Sequence, residues 1–147
     1  MSHAWGNART SLGAAAGVTL AGALLNGCGT GSEYSGGTDW KAPRRYSYTL
    51  ETSTMAVTGS FRVRVRDGKV VRARLLDGSR MPAGRLEERV HSVEELLKRV
   101  EDAREVDAHR ADVAYDGDHR PARIELDPYE EASDDQASYR MRDYRIG

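Results

Sequence analysis

Residues 127–135, DPYEEASDD, carry five carboxylates: Asp127, Glu130, Glu131, Asp134 and Asp135. Carboxylate oxygens packed this densely can ligate Ca²⁺, which takes about six to eight of them. A carboxyl group held at a raised pKa can also act as a general acid or base. The D-x-D-x-D-G spacing of a calcium loop is missing. The plainer expectation is a solvated connection whose carboxylates cap local backbone N–H groups. A second cluster is basic. Arg62, Arg64, Arg66, Arg72 and Arg74 recur at every second position of two neighbouring runs. Five guanidiniums on one sheet face suit lipid headgroups or an anionic envelope polymer. The alternative is the wet face of an antiparallel sheet, with arginines paired to Glu51 and Glu125. His91, His109 and His119 show no metal-ligand spacing. The chain has no G-x-S-x-G elbow, no P-loop and no G-x-G-x-x-G. Neither a cofactor nor a metal is expected.

Cys28 is the only cysteine, so no internal disulfide is available. Residues 12–25, LGAAAGVTLAGALL, carry no charge. They are shorter than the roughly 20 residues a bilayer span needs, but they match the h-region of a secretory signal. The "LNGC" that follows resembles a bacterial lipobox, with Leu25 at −3, Gly27 at −1 and Cys28 at +1. Asn26 fits that pattern least well, and Arg9 is the one firm positive charge before the apolar run. The expected organisation is a signal peptide over 1–27, a lipidated Cys28 with a Gly/Ser/Thr tether to residue 39, and a single domain over 40–147. The cysteine then serves as an attachment point to the outer face of the cytoplasmic membrane.

The remaining composition suits a small globular domain. The chain has 147 residues, of which 39% are hydrophobic and 31% charged, with a formal charge of −1. Cleavage before Cys28 removes Arg9 and no acid, which takes −1 to −2. No net basic field points to nucleic acid.

The elements that must position these clusters are legible from periodicity. "RRYSYTLET" (44–52) alternates as a half-buried strand, with Tyr46, Tyr48 and Leu50 inward. "GSFRVRVRDGKVVRARLLDG" (59–78) reads as a hairpin turning at Asp67-Gly68. Phe61, Val63, Val65, Val71, Ala73 and Leu75 are its inward set and the arginines its outward set. "HSVEELLKRVEDAREVDAH" (91–109) reads as a helix with the stripe Val93, Leu96, Leu97, Val100 and Ala103. Ser92 with Glu95 forms a capping-box signature, and Glu94–Lys98 and Glu95–Arg99 are candidate i,i+4 pairs. A second hairpin joins 111–115 to 121–126 through "DGDHR", with the same Asp-Gly turn chemistry as the first. "SYRMRDYRI" (138–146) slips phase, and a bulge near Arg142-Asp143 returns Tyr144 and Ile146 to the core side. The predicted fold is α+β, order β-β-β-α-β-β-β: an antiparallel sheet with one amphipathic helix on one face.

These residues resemble a group of uncharacterised actinobacterial secreted and lipoprotein domains of unknown function. The likeness covers residues 40 to 146. It rests on Trp40 with Tyr46-x-Tyr48, on Val63-x-Val65-x-Asp67-Gly68, on the "SVEELL" helix (92–97), and on a tail with Pro121, Ile124, Asp127, Pro128, Asp134, Asp135 and Tyr139. Two departures stand out. The closely spaced cysteine pair of many members is absent from "TSTMAVTGS" (52–60), which removes any redox role, and the usual Asp-Asp-Glu ends in Gln136. The resemblance implies fold and compartment and supplies no reaction. The leading expectation is a lipid-anchored, non-enzymatic binding domain whose partners are the membrane through its anchor and an envelope protein or anionic envelope polymer. An inhibitor of an extracellular enzyme, using the Asp67-Gly68 and Asp116–Arg120 turns, is the alternative. A small hydrolase built on the 127–135 carboxylates is the third.

Overall fold

Seven antiparallel strands and one long helix make an α+β domain, seen in a computed structural model that describes residues 34–35, 38–80, 83–130 and 135–147. The expected signal peptide (1–27), Cys28 and Asp134 lie outside the described residues. The strands are β1 (Tyr34–Ser35), β2 (Arg45–Ser53), β3 (Thr58–Arg66), β4 (Lys69–Arg80), β5 (Arg110–Tyr115), β6 (Pro121–Asp127) and β7 (Ala137–Ile146). They lie in the order β1-β5-β6-β7-β2-β3-β4. The helix α1 runs Val93–Glu105, and a 3-10 turn, Leu86–Glu88, precedes it. The predicted order had six strands, so β1 is an addition. It comes from the segment read as tether and pairs Tyr34 with Ala114 and Ser35 with Val113. Two residues carry no periodicity, so nothing in the sequence announced it.

Alternation decides which side chains meet. On β2, Tyr46, Tyr48 and Leu50 are buried, and on β3 so are Phe61, Val63 and Val65. Val93, Leu96, Leu97 and Val100 of α1 close over them with Val113, Ile124, Tyr139 and Met141. The helix starts above β2, where the Tyr46 hydroxyl donates to Glu94 and accepts from Val93 N–H, and the Tyr48 hydroxyl donates to the His91 carbonyl. It ends above β5, where Arg104 Nε donates to the Ala111 carbonyl at 3.0 Å. Burial pushes the Tyr46, Tyr48 and Tyr144 hydroxyls well above the ordinary tyrosine range, with nearby acids or tyrosines adding to it. The capping box forms in full: Ser92 Oγ accepts from Glu95 N–H and Glu95 accepts from Ser92 N–H. The expected i,i+4 pairs do not form that way. Glu94 is held by Tyr46, Glu95 by the cap, and Lys98 pairs with Asp102 at 2.7 Å.

Strand β4 departs most from the alternation. Its register against β3 slips three times, between Thr58 and Gly59, Ser60 and Phe61, and Arg64 and Val65. Val65 faces Val70 while Arg64 faces Arg72, so Val71 is the extra residue of a bulge. Val71 is therefore exposed and Val70 packs on the core, a correction to the predicted inward set. Leu75 is also half out, at 38% exposure. Gly59 faces Gly78 across this ladder so closely that a Cβ on Gly59 would stand 2.9 Å from the Asp77 carbonyl oxygen. Glu87 of the 3-10 turn accepts from the Ala73 N–H on the outer side of β4 at 3.4 Å.

The predicted bulge in β7 is present. Its register on β2 shifts between Ser47 and Thr49, and Asp143 takes φ 55. Tyr144 returns to stack on Tyr48 at 5.6 Å, with Trp40 against Tyr46 and Tyr144, whereas Ile146 lies past the core at 59% exposure. The two hairpins do not share turn chemistry. Asp67 (φ 47) and Gly68 (φ 76) both sit at positive φ, as a two-residue type I′ turn requires. In the second turn the left-handed residue is His119 (φ 58), and the turn is organised by Asp116.

Candidate functional site

The helix covers one face of the sheet, so the opposite face is where outward residues collect. Two rows cross it. Ser47 faces Arg64 on β3 and Arg145 on β7, and Arg64 faces Arg72 on β4. Thr49 faces Arg62 and Arg142, and Arg62 faces Arg74. Arg62, Arg64, Arg72, Arg74 and Arg145, with Ser47, line a cleft of about 500 Å³ that has no carboxylate in its lining. Four of the five predicted arginines thus converge. Arg66 is not among the cleft's lining; it sits between Arg45 and Lys69 at the turn end, in a smaller pocket of about 350 Å³ that Arg64 and Arg145 also line.

Pairing is uneven across this face. Arg62 reaches Asp143, donating to its carbonyl at 3.4 Å and standing 4.0 Å from its carboxylate. The Asp143 carboxylate also accepts from Thr49 at 2.9 Å and lies 3.6 Å from Arg142. Arg142 Nε donates to Glu51 at 3.0 Å. The anticipated neutralisation by Glu51 and Glu125 goes elsewhere, since Glu125 serves Arg110 and Arg123. Among the described residues no ion pair involves Arg64, Arg72, Arg74 or Arg145. Arginines directly opposite one another in an antiparallel ladder repel. The fold therefore holds Arg64, Arg74 and Arg145 at close quarters without an acidic partner, while the Arg72 charge also acts on the Glu87 carboxylate, and the donor forks lining the cleft remain open to an anion.

The acidic segment does not join this cleft. Asp127 is 8% exposed, and its carboxylate accepts from Tyr129 N–H at 3.3 Å and from Gln136 Nε2 at 3.1 Å. That is the local capping role, with Gln136 supplying the second donor. Asp135 lies instead at the seam between helix and sheet, in a pocket of about 460 Å³ with His91, Arg99 and Tyr139. There Arg99 donates to the Tyr139 hydroxyl at 3.3 Å, and His91 Nδ1 is 3.8 Å from Glu95. Burial, then the Arg99 charge, holds the His91 imidazole below its ordinary pKa against the opposing pull of Glu95. Among the described residues no three His, Cys, Asp or Glu side chains are grouped to hold a metal, and no helix is long and apolar enough to cross a membrane.

Arg145 and Ser47 were missing from the sequence-based cluster. Arg145 was reachable, because the bulge that turns Tyr144 inward turns Arg145 outward. Which strand it would face was not, because the β2–β7 pairing joins the two ends of the domain.

A family model described as a family of unknown function (DUF6174) matches residues 38–146. No curated protein and no solved structure matches the chain.

Proposed function

Because the chain belongs to a family of unknown function, DUF6174, its role must be argued from its own residues, and we propose a non-enzymatic anion-binding domain carried as a lipoprotein on the outer face of the cytoplasmic membrane. The observation that carries the binding role is the cleft lined by five arginines and no carboxylate, in a chain whose formal charge is −1. Cations unpaired by the fold cost stability through cross-strand repulsion, and a bound anion offsets that cost. The anchor reading is supported by Cys28 standing alone at the end of an uncharged run, in a lipobox-like "LNGC".

Two measurements test the proposal. Labelled palmitate should enter the wild-type chain and not a Cys28→Ala variant; equal labelling of both sinks the anchor. The acidic full-length protein carrying Cys28→Ala should be retained on a sulfonate cation exchanger at neutral pH. Arg64→Gln with Arg74→Gln should elute it markedly earlier. Passage of the unsubstituted cleft through the resin at low salt would sink the anion-binding role.

One observation favours the inhibitor reading as a second possibility: both tight turns emerge at the same end of the sheet. Arg45 faces Arg66 beside the Asp67-Gly68 turn, and Tyr144 at the same end donates to the Pro121 carbonyl beside the Asp116–Arg120 turn. Replacing both turns should then abolish inhibition of an extracellular hydrolase, and unchanged inhibition would remove this reading. A carboxylate-based hydrolase has less support, because the Asp127 carboxylate is already occupied by Tyr129 and Gln136.

A further inference from the structure

The cleft is a grid rather than a patch. Arg64 faces Arg72, and Arg62 faces Arg74. Partners across an antiparallel ladder stand about 4.5–5.5 Å apart at Cα, and outward residues two positions along a strand are about 6.8 Å apart. Arg145 extends the first row across Ser47. In the second row Asp143 already draws on Arg62. The uncompensated charge therefore lies in two short rows, stepped along the strands at a fixed pitch.

We propose that this cleft binds an extended polyanion with one phosphodiester in each repeat, its phosphates separated by a short polyol linker and laid along the strand direction. This rests on the anion-binding reading above. A phosphodiester presents two free oxygens to a guanidinium fork, so each row can grip one phosphate from both sides. The step between rows suits charges separated by a few carbons rather than the dense charge of condensed polyphosphate. Two observations favour a chain over a bilayer surface. The arginines line a concavity with Ser47 among its lining residues, which a linear polymer can enter and a flat headgroup layer cannot follow. The chain as a whole is also slightly acidic, so a large anionic plane is repelled by most of the molecule while a thread feels chiefly the cleft.

The test uses the full-length chain carrying Cys28→Ala and three probes: labelled poly(glycerol phosphate), poly-L-glutamate of matched charge number, and vesicles of equal parts phosphatidylglycerol and phosphatidylcholine. Poly(glycerol phosphate) is expected to bind at least ten-fold tighter than polyglutamate. Its log affinity should fall with log salt at a slope of about −1.4, the value for two neutralised phosphates, one in each row, on a single-stranded polyanion. Arg64→Gln with Arg74→Gln should weaken binding ten-fold or more, and Arg140→Gln, outside the cleft, less than two-fold. Arg64→Lys with Arg72→Lys keeps the charge and removes the fork, so a loss between those two values is expected. Equal affinity for the two polymers overturns the phosphodiester assignment and leaves the anion-binding reading standing. Tighter binding to vesicles overturns the polymer in favour of the bilayer. Binding to none of the three overturns both readings together.

Discussion

Removing charge from the cleft should make the protein more stable, and that gain should vanish in salt. The perturbation is Arg64→Gln with Arg74→Gln, one member from each facing pair, leaving Arg62 to Asp143. Glutamine keeps most of the aliphatic stem, so packing changes little. Like charges directly opposite in a ladder cost roughly 0.2–1 kcal/mol each. Two relieved pairs therefore return about 1 kcal/mol. For a domain of this size, that corresponds to a rise in melting temperature of about 4 °C. Screening sets the second half of the expectation: the Debye length is about 10 Å at 0.1 M salt and about 3 Å at 1 M, shorter than the spacing between the facing arginines. Melting curves of the variant and its parent, by circular dichroism, should differ at about 20 mM NaCl and converge at about 1 M. A variant that melts at or below its parent in low salt would mean the arginines are already compensated. A gain that persists unchanged at 1 M salt would mean it does not arise from charge.

Four further outcomes follow from the packing. Ser92→Ala removes a buried cap whose hydroxyl accepts from Glu95 N–H at 3.2 Å, and should cost about 1 kcal/mol in chemical denaturation. Gly59→Ala forces a Cβ to 2.9 Å from the Asp77 carbonyl and should destabilise by about 1–3 kcal/mol, visible as a lower denaturation midpoint. At Asp116 burial acts to raise the pKa, but hydrogen bonds from Arg120 and Asp118 outweigh it and hold the carboxylate below its ordinary value. The stability it adds is present above pH ~4 and is lost as pH falls through its folded pKa, so Asp116→Ala should cost about 1–2 kcal/mol at pH 7 and progressively less in acid. His91 has the same pH sign for a different reason. Its lowered pKa means the unfolded chain binds the proton more readily, so stability should rise with pH up to about 6.5, and His91→Gln should flatten that slope in pH-dependent melts.

The parts of this fold legible in the sequence are those where one local rule acts alone. The Asp67-Gly68 turn, the Ser92/Glu95 cap and the inward Phe61, Val63 and Val65 follow from turn geometry, capping and a period of two. The bulge at Asp143 was legible because the aromatics change phase on either side of it. Where two rules competed, sequence reading failed. Val70 and Val71 are both good strand residues, and only the facing register shows which one is squeezed out. Gly117 looks like the pivot of the second turn, yet Asp116 binds the backbone of Asp118 and Arg120 and moves the left-handed residue to His119. The site divides the same way. Its arginines were visible as an alternating row, but their lack of partners was not. Glu51 is committed to Arg142 on the neighbouring strand β7, while Glu125, on β6 with β7 and β2 between it and β3, serves Arg123 two residues away and Arg110 on the adjacent β5, a layout set by the strand order.

The outer strand β4 also bears on how a partner is recognised. Three register slips break its ladder, and Glu87 occupies the Ala73 N–H that would otherwise face outward. At the opposite side, β1 is two residues long. A peptide adding itself as an eighth strand therefore meets an irregular β4 whose Ala73 N–H is already taken, or a β1 of only two residues. Those borders favour recognition through side chains instead. It should accordingly respond to salt and to single arginine substitutions, and tolerate changes of backbone sequence in whatever it holds.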